Sequence, residues 1–341
     1  MSSTSLAPAL RELPALGFAP TTARTVDYLR LSITDRCNER CLYCLPENYS
    51  AWTPREEVLS FEEFLSIVRV AVTFGFKHFR VTGGEPLLRS GVADFIHDLY
   101  TIPGVETVQL TTNATRLAAL APALKTAGLQ RINISLDALD PATYRHITRG
   151  EIAPVLEGIR AARTAGFEKV KLNTVLMRGK NEDQIWPLVH FAAEHDLPLR
   201  FIELMPVSLT EMLDESNFLP VAEVKQMLAE RDELVPIDGK LGLGPAKYFR
   251  LKKTGATVGF IGALTDLHFC EQCNKVRVTA DGKLRPCLGH HGEYDLKPTL
   301  RPAYDKAALL GMMQQALAEK PPVHLFRDNY QPGRVMTAIG G

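Results

Sequence analysis

Residues 27–44 read Asp27-Tyr28-Leu29-Arg30-Leu31-Ser32-Ile33-Thr34-Asp35-Arg36-Cys37-Asn38-Glu39-Arg40-Cys41-Leu42-Tyr43-Cys44, and this stretch decides the fold. Residues 28–33 alternate well enough for a strand, and three cysteines spaced C-x3-C-x2-C follow directly. Parallel α/β proteins bind their ligands at the C-terminal ends of strands, which is where this loop falls. Further units follow. Ser60 precedes Phe61-Glu62-Glu63 as an N-cap with Glu63 at the capping-box position, and Phe64, Leu65, Val68, Ala71 and Val72 recur at helical spacing. Segments 79–82, 105–110, 131–136, 170–175 and 199–204 read as strands, with helical stretches such as 117–127, 152–165 and 184–195 between them. This alternation predicts βαβ units and a parallel sheet.

Six units fall short of the roughly 250 residues of a closed eight-stranded barrel. The sequence therefore predicts an α/β fold: a partial (β/α)6 TIM-like barrel over 21–215, open on one side. The polar stretch 208–220 marks a boundary. Residues 216–341 predict a smaller α+β extension with a helix near 222–231, a Gly-rich stretch 239–245 and strands near 247–251 and 257–261. Residues 1–20 are expected to be a flexible segment. Gly83-Gly84-Glu85-Pro86, Thr111-Thr112-Asn113, Ser135 with Asp137, and Met205-Pro206 all fall at strand ends, beside the first cysteine group.

Composition narrows the function. The 341 residues carry 39 Lys+Arg and 39 Asp+Glu, so no global field draws the chain to nucleic acid or an anionic membrane. An anionic ligand would need a local basic cluster. No apolar run approaches the ~20 residues of a membrane span. Arg11 and Glu12 interrupt the N-terminal apolar residues, so no secretory signal is read there. A cytoplasmic protein with neither a membrane nor a nucleic-acid partner is expected.

The six cysteines form two groups of three: Cys37, Cys41 and Cys44, then Cys270, Cys273 and Cys287. Clustered cysteines in a reducing compartment bind metal or do redox work. Structural zinc wants four closed ligands, and an electron-transfer iron–sulfur cluster wants four cysteines. Three cysteines on a cubane leave one iron open to a small molecule. Taken alone, each group also admits a Cys3His zinc site, the first with a distant His78 or His97, the second with His268, His290 or His291.

The cysteine spacing after the first strand, with Tyr43 just before the last cysteine, and the Gly83–Pro86 run resemble the radical S-adenosylmethionine (SAM) superfamily. Residues 27–38, the second triad and the terminal Gly340-Gly341 resemble more closely the GTP 3′,8-cyclase (MoaA) family. That resemblance covers nearly the whole chain. It implies the first step of molybdenum cofactor biosynthesis, in which a 5′-deoxyadenosyl radical abstracts the ribose 3′ hydrogen of GTP and the sugar attacks guanine C8. It implies SAM and two [4Fe–4S] clusters, the first on Cys37, Cys41 and Cys44 binding SAM, the second on Cys270, Cys273 and Cys287 binding GTP. An external electron donor, GTP and a downstream cyclic pyranopterin monophosphate synthase are the implied partners, and a homodimer is compatible with the reading.

Position by position, the resemblance implies SAM contacts at Tyr43, Gly84, Ser135 and Met205. It implies GTP contacts at Arg30, Arg80, Thr111, Lys171, Arg200, Lys275, Val276 and Arg277. Lys275, Arg277, Gly340 and Gly341 are the residues it carries over to catalysis, the glycines as a tail reaching the site. A triphosphate needs several cationic donors, and Arg engages it bidentately. Each position also has an ordinary reading: a surface cation, a core methionine, a strand-end serine, a loose terminus. Lys275 stands where the family has Arg, so the planar fork is lost there. His78 stands where a basic residue is expected. The competing functions are a radical SAM enzyme with an auxiliary cluster acting on a peptide or another nucleotide, and a zinc-dependent binding module without catalysis.

Overall fold

The computed structural model describes residues 24–210, 212–213, 216–239, 241–328 and 330–340. The expectations for residues 1–20 and Gly341 lie outside them. Strand β1 (Tyr28–Ser32) leads through the cysteine loop to helix α1 (Phe61–Thr73). The capping box forms as read: Glu63 N donates to Ser60 Oγ at 3.2 Å and Ser60 N to Glu63 Oε2 at 2.6 Å. Then come β2 (His78–Thr82), α2 (Val92–Thr101), β3 (Thr107–Thr112), α3 (Leu117–Thr126) and β4 (Arg131–Ser135). Two helices, α4 (Pro141–Thr148) and α5 (Ile152–Thr164), precede β5 (Lys169–Leu176), and α6 (Ile185–Glu194) precedes β6 (Leu199–Glu203). Strand β3 begins two residues later than the sequence predicts, because Thr107 pairs with His78 at the start of β2.

The remaining chain is woven into the same sheet. It forms α7 (Val221–Ala229), β7 (Leu234–Pro236), β8 (Lys247–Leu251), β9 (Thr257–Ile261), β10 (Lys275–Val278), β11 (Lys283–Arg285), β12 (Tyr294–Asp295), α8 (Lys306–Ala318) and α9 (Met336–Ile339). The strand order is β12-β11-β10-β1-β2-β3-β4-β5-β6-β9-β8-β7. β10 joins β1 in parallel and β9 joins β6 in parallel, while β11–β12 and β7–β8 are antiparallel outer ribbons. The six-strand arc is thus extended at both edges by strands from the C-terminal part. Four of these strands were not legible, since two to four residues are too few to show alternation.

Each barrel strand turns its apolar residues outward to the helices. Leu29, Leu31, Phe79, Val81, Val108, Leu110, Ile132 and Ile134 are buried in one hydrophobic cluster with residues of α1, α2, α3 and α5. Polar and charged residues, Arg30, Arg80, Asn133, Lys171 and Arg200, line the interior together with a few apolar ones such as Val175 and Ile202. A closed barrel fills its interior with branched apolar side chains; this one keeps its interior for a polar ligand.

Glu203, fully buried at the end of β6, ties the arc to the C-terminal part. Its carboxylate accepts from Val221 N (3.1 Å), Leu264 N (2.9 Å), Thr265 N (3.2 Å) and Thr265 Oγ1 (2.5 Å). In Glu203→Gln an amide NH2 would face backbone N–H donors. Leaving such buried donors unmatched costs about 1–3 kcal/mol. We expect urea unfolding of the metal-free protein to show a loss of that size.

Candidate active site

The first cysteine loop is hung on α4. Arg40 N donates to Thr148 O at 2.8 Å, Leu42 N to Ile147 O at 2.9 Å, and Cys44 N closes the turn on Cys41 O at 2.9 Å. Beneath it runs the Gly-Gly segment after β2. Gly84 N donates to Thr34 O at 2.7 Å and Glu85 N to Arg36 O at 2.8 Å. A Cβ on Gly83 would lie 2.5 Å from Thr34 O, and one on Gly84 would lie 2.3 Å from Arg36 O. Side-chain-free residues are required here by the chain itself, since this backbone packs on the segment that leads into Cys37.

Cys37, Cys41 and Cys44 line a cavity that opens to solvent. The same cavity is lined by Tyr43, Gly84, Ser135 and Met205, and by Arg30, Arg80, Thr111, Arg200, Lys275 and Arg277. Lys171 lies in an adjoining recess that shares Arg80, Asn133, Arg200 and Gly244 with it. Val276 does not face the cavity; it is 1% exposed and belongs to the hydrophobic core. Gly340 is reached from the cavity by Arg277, whose Nη1 donates to Gly340 O at 2.9 Å. His78, partly buried at the start of β2, is engaged with Thr107 Oγ1 (3.0 Å) and Asp27 (3.9 Å). Lys77 pairs at the surface with Glu106 at 2.8 Å.

Three buried carboxyls stand around the first cysteines. Glu85 accepts from Thr112 Oγ1 (2.8 Å), Leu87 N (2.9 Å) and Asn113 N (2.7 Å). Asp137 accepts from Tyr43 OH (2.7 Å) and Val175 N (2.8 Å), and Glu39 accepts from Tyr144 OH (2.7 Å). Burial pushes Glu39 and Glu85 up to about 7 and Asp137 up to about 6. Burial also raises the thiols, Cys44 to about 12 and Cys37 and Cys41 well above the usual thiol range. Such thiols ionise only when a metal cation replaces the proton. Three of them on one cavity wall, all free, therefore fit the open-iron cubane that the spacing suggests.

The cavity is also lined by cations, and strand register sets three of them together. Arg30 is opposite Arg277 on β10 and opposite Arg80 on β2, so three arginines stand side by side at one level. Burial pushes Arg277 and Arg200 down to about 10, Lys275 to about 8 and Lys171 to about 7. Their donors go to neutral oxygens. Arg80 Nη1 donates to Thr111 Oγ1 (2.9 Å), Lys171 Nζ to Leu241 O (2.7 Å) and Tyr248 OH (3.0 Å), and Lys275 Nζ to Leu243 O (2.9 Å). Nε and Nη2 of Arg200 are buried without a hydrogen-bond partner among the described residues. Buried unmatched guanidinium donors are costly and point to an anionic occupant.

The second triad sits where the chain enters β10 and leaves β11. Cys273 N donates to Cys270 O at 3.0 Å, and Cys287 follows β11. Burial would raise the Cys273 thiol, but Lys320 above all brings it below the ordinary value. The histidines that would complete a zinc site have other engagements. His268 Nδ1 pairs with Glu271 at 2.6 Å, His291 stacks on Tyr330 at 4.8 Å, and His290 Nδ1 accepts from Gly292 N at 3.4 Å.

A three-cysteine loop closing the first strand of an open parallel barrel places this chain in the radical SAM class of enzymes. Comparison with known proteins agrees: residues 31–192 match the Radical SAM superfamily and residues 197–326 the Molybdenum Cofactor Synthesis C family. GTP 3′,8-cyclase of Pelotomaculum thermopropionicum is 43% identical over 323 residues, covering 94% of this chain and 99% of that protein. The enzyme of the same name from Moorella thermoacetica is 44% identical over 322 residues, with 94% and 99% covered. The chain belongs to the GTP 3′,8-cyclase family. Membership implies an iron–sulfur cluster and SAM. Among solved structures, Streptococcus suis SuiB bound to precursor peptide SuiA aligns with a TM-score of 0.58 at 14% identity, over 92% of this chain and 76% of that one. Native anSMEcpe with bound AdoMet gives 0.55 at 15% identity, over 88% and 82%. At such identities these two support the fold alone. No described helix is long and apolar enough to cross a membrane.

Sequence reasoning quoted Glu39, Glu85 and Asp137 inside its motifs but gave them no role; lying between ligand-type residues was their signal. Asn113 closes the Thr111-Thr112-Asn113 strand end and shares that signal, whereas Tyr144 and Lys320 have none, because only the fold brings them to the site.

Two outcomes follow. In Gly84→Ala the added Cβ strikes the Arg36 carbonyl, so the metal-free protein should lose stability by about 1–3 kcal/mol, as overpacked sites do. Unchanged urea unfolding would mean that the glycine serves the ligand alone. For Asp137, the raised folded pKa means that the native state keeps a proton the unfolded chain has lost. Its contribution is therefore most favourable below the unfolded value of about 3.8 and declines as pH rises through about 6. Asp137→Asn keeps the bond from Val175 N at its amide oxygen and can turn its NH2 to donate to the Tyr43 oxygen, so its stability relative to the parent should rise between pH 4 and pH 7 in parallel unfolding titrations.

Proposed function

We propose that this chain is a radical SAM lyase that converts GTP to 3′,8-cyclo-7,8-dihydroguanosine 5′-triphosphate, the first step of molybdenum cofactor biosynthesis. The observation that carries the reading is that one cavity is lined both by the first cysteine triad and by Arg277, Arg30 and Arg80, which strand register sets side by side. Cys37, Cys41 and Cys44 would hold a [4Fe–4S] cluster, with Tyr43, Gly84, Ser135 and Met205 along the SAM site. Cys270, Cys273 and Cys287 would hold a second [4Fe–4S] cluster facing guanine. When loaded with SAM and one electron from an external donor, the first centre supplies a 5′-deoxyadenosyl radical.

The remaining work belongs to the chain. Arg30, Arg80, Lys171, Arg200, Lys275 and Arg277 neutralise the triphosphate, and their neutral oxygen partners exchange for phosphate oxygens as GTP enters. Thr111, held by Arg80, offers a hydroxyl at the same level. The backbone of Val276 spaces Lys275 and Arg277 on one strand face while its side chain anchors that strand in the core. Arg277 bridges to the Gly340 carbonyl and so ties Gly340 to the arginine layer. Fixing both ends of GTP presents the ribose 3′ hydrogen to the radical and guanine C8 to the sugar carbon. The product is then the substrate of a cyclic pyranopterin monophosphate synthase.

The test is an anaerobic reconstitution with iron and sulfide, followed by SAM, a strong reductant and either GTP or ATP. We expect about eight irons per chain, from two cubanes of four. We also expect 5′-deoxyadenosine formed in step with a cyclised GTP derivative and neither with ATP. About eight irons without a GTP product would overturn the substrate and leave the radical chemistry standing. Zinc without iron would overturn both.

A further inference from the structure

Lys320 follows the last turn of α8 and is 3% exposed. Its backbone is fixed by Lys320 N donating to Leu317 O at 3.2 Å and by Pro321-Pro322, which end the helix. The ammonium has three protons, and the structure places all three. Nζ donates to Lys275 O at 2.8 Å and Pro286 O at 2.6 Å, and lies 3.9 Å from Cys273 Sγ. Lys275 is two residues after Cys273 and Pro286 immediately precedes Cys287. One side chain thus fastens the two chain segments that carry Cys273 and Cys287. No carboxylate of the described residues lies within ion-pair distance of it among the ion pairs of the fold. A buried ammonium without a carboxylate is sustained by other negative charge, and the sulfurs of the triad are its negative neighbours.

The two triads differ in the charge around them. Glu39 and Asp137 line the cavity beside the first, with Glu85 buried behind it. The second has Lys320 against Cys273, and Arg24 donates to Cys270 O at 2.7 Å and Pro322 O at 3.0 Å. Added positive charge beside an iron–sulfur centre favours its more negative, reduced form.

We propose that Lys320 is a positioning residue of the second cluster: its ammonium holds the Cys273 and Cys287 segments together and its fixed charge raises that cluster's reduction potential. The inference rests on the second-cluster reading given above. The redox event is the entry of one electron from the reductant, taking [4Fe–4S]2+ to [4Fe–4S]1+ with no bond made or broken.

The test uses the reconstituted full chain carrying Cys37→Ala, Cys41→Ala and Cys44→Ala, so that only the second centre reports. Midpoint potentials are read by dithionite titration with mediators and electron paramagnetic resonance, in this background and with Lys320→Met or Lys320→Arg added. We expect Lys320→Met to shift the one-electron equilibrium at least tenfold toward the oxidised form, about 59 mV lower, and Lys320→Arg to retain most of the parent potential. An unchanged midpoint in an iron-loaded Lys320→Met protein overturns the proposal, as does an equal fall in both variants. If Lys320→Met takes up no iron, the readout becomes iron content: uptake by Lys320→Arg supports the proposal and equal loss in both overturns it. If the background protein itself takes up no iron, the second-cluster reading has failed, and the role of Lys320 with it.

Discussion

Three arginines held side by side by strand register set the terms for the rest of this molecule. Arg277, Arg30 and Arg80 occupy one level of β10, β1 and β2, where neighbouring strands are only about 4.8 Å apart. Like charges at such spacing repel by roughly 2–4 kcal/mol per pair at an effective dielectric near 20. The register cannot relax without turning Leu29, Leu31, Phe79 and Val276 out of the core, because a one-residue slip inverts every side chain. Apolar packing on the outer face thus holds a repulsive cationic layer on the inner face. A polyanion in the cavity would relieve that repulsion, so a chain with no net charge still carries a local basic cluster suited to an anionic ligand.

The carboxyls near the first cysteines are the acidic counterpart of this layer. Glu39, Glu85 and Asp137 sit in low-dielectric surroundings near the first cysteines, each stabilised by donated hydrogen bonds rather than by a cationic side chain. Acidic and basic groups are therefore segregated across one cavity instead of paired within it. Such separation suits two ligands of opposite local charge, an ammonium- and sulfonium-bearing one beside the cysteines and a phosphorylated one beside the arginines.

Much of this was legible because the pattern is local. A strand followed by C-x3-C-x2-C, a helix with a complete capping box and a glycine pair after the next strand are each written within a few residues. What could not be read depends on chain segments far apart in sequence. The four residues Lys275–Val278 carry no strand signal of their own, yet pairing with β1 makes them part of the basic layer. Lys320 looks like any helix-end lysine until α8 delivers it to Pro286 and Lys275. The glycine pair was recognised, but one reason for it was hidden: Gly83 and Gly84 press against the carbonyls of Thr34 and Arg36. Val276 shows the reverse case, a position inside a substrate-contacting segment whose side chain is spent on the core.

The proposed cyclase reaction requires that one particular hydrogen of the nucleotide, at the ribose 3′ carbon, be removed. Incubating the reduced, reconstituted enzyme with SAM and GTP deuterated only at the ribose 3′ carbon, and recording the mass of the 5′-deoxyadenosine formed, tests this directly. One deuterium in 5′-deoxyadenosine from the 3′-labelled substrate, and none from GTP labelled at the 2′ carbon, is the predicted result. Unlabelled 5′-deoxyadenosine from 3′-deuterated GTP, formed alongside product, would contradict it.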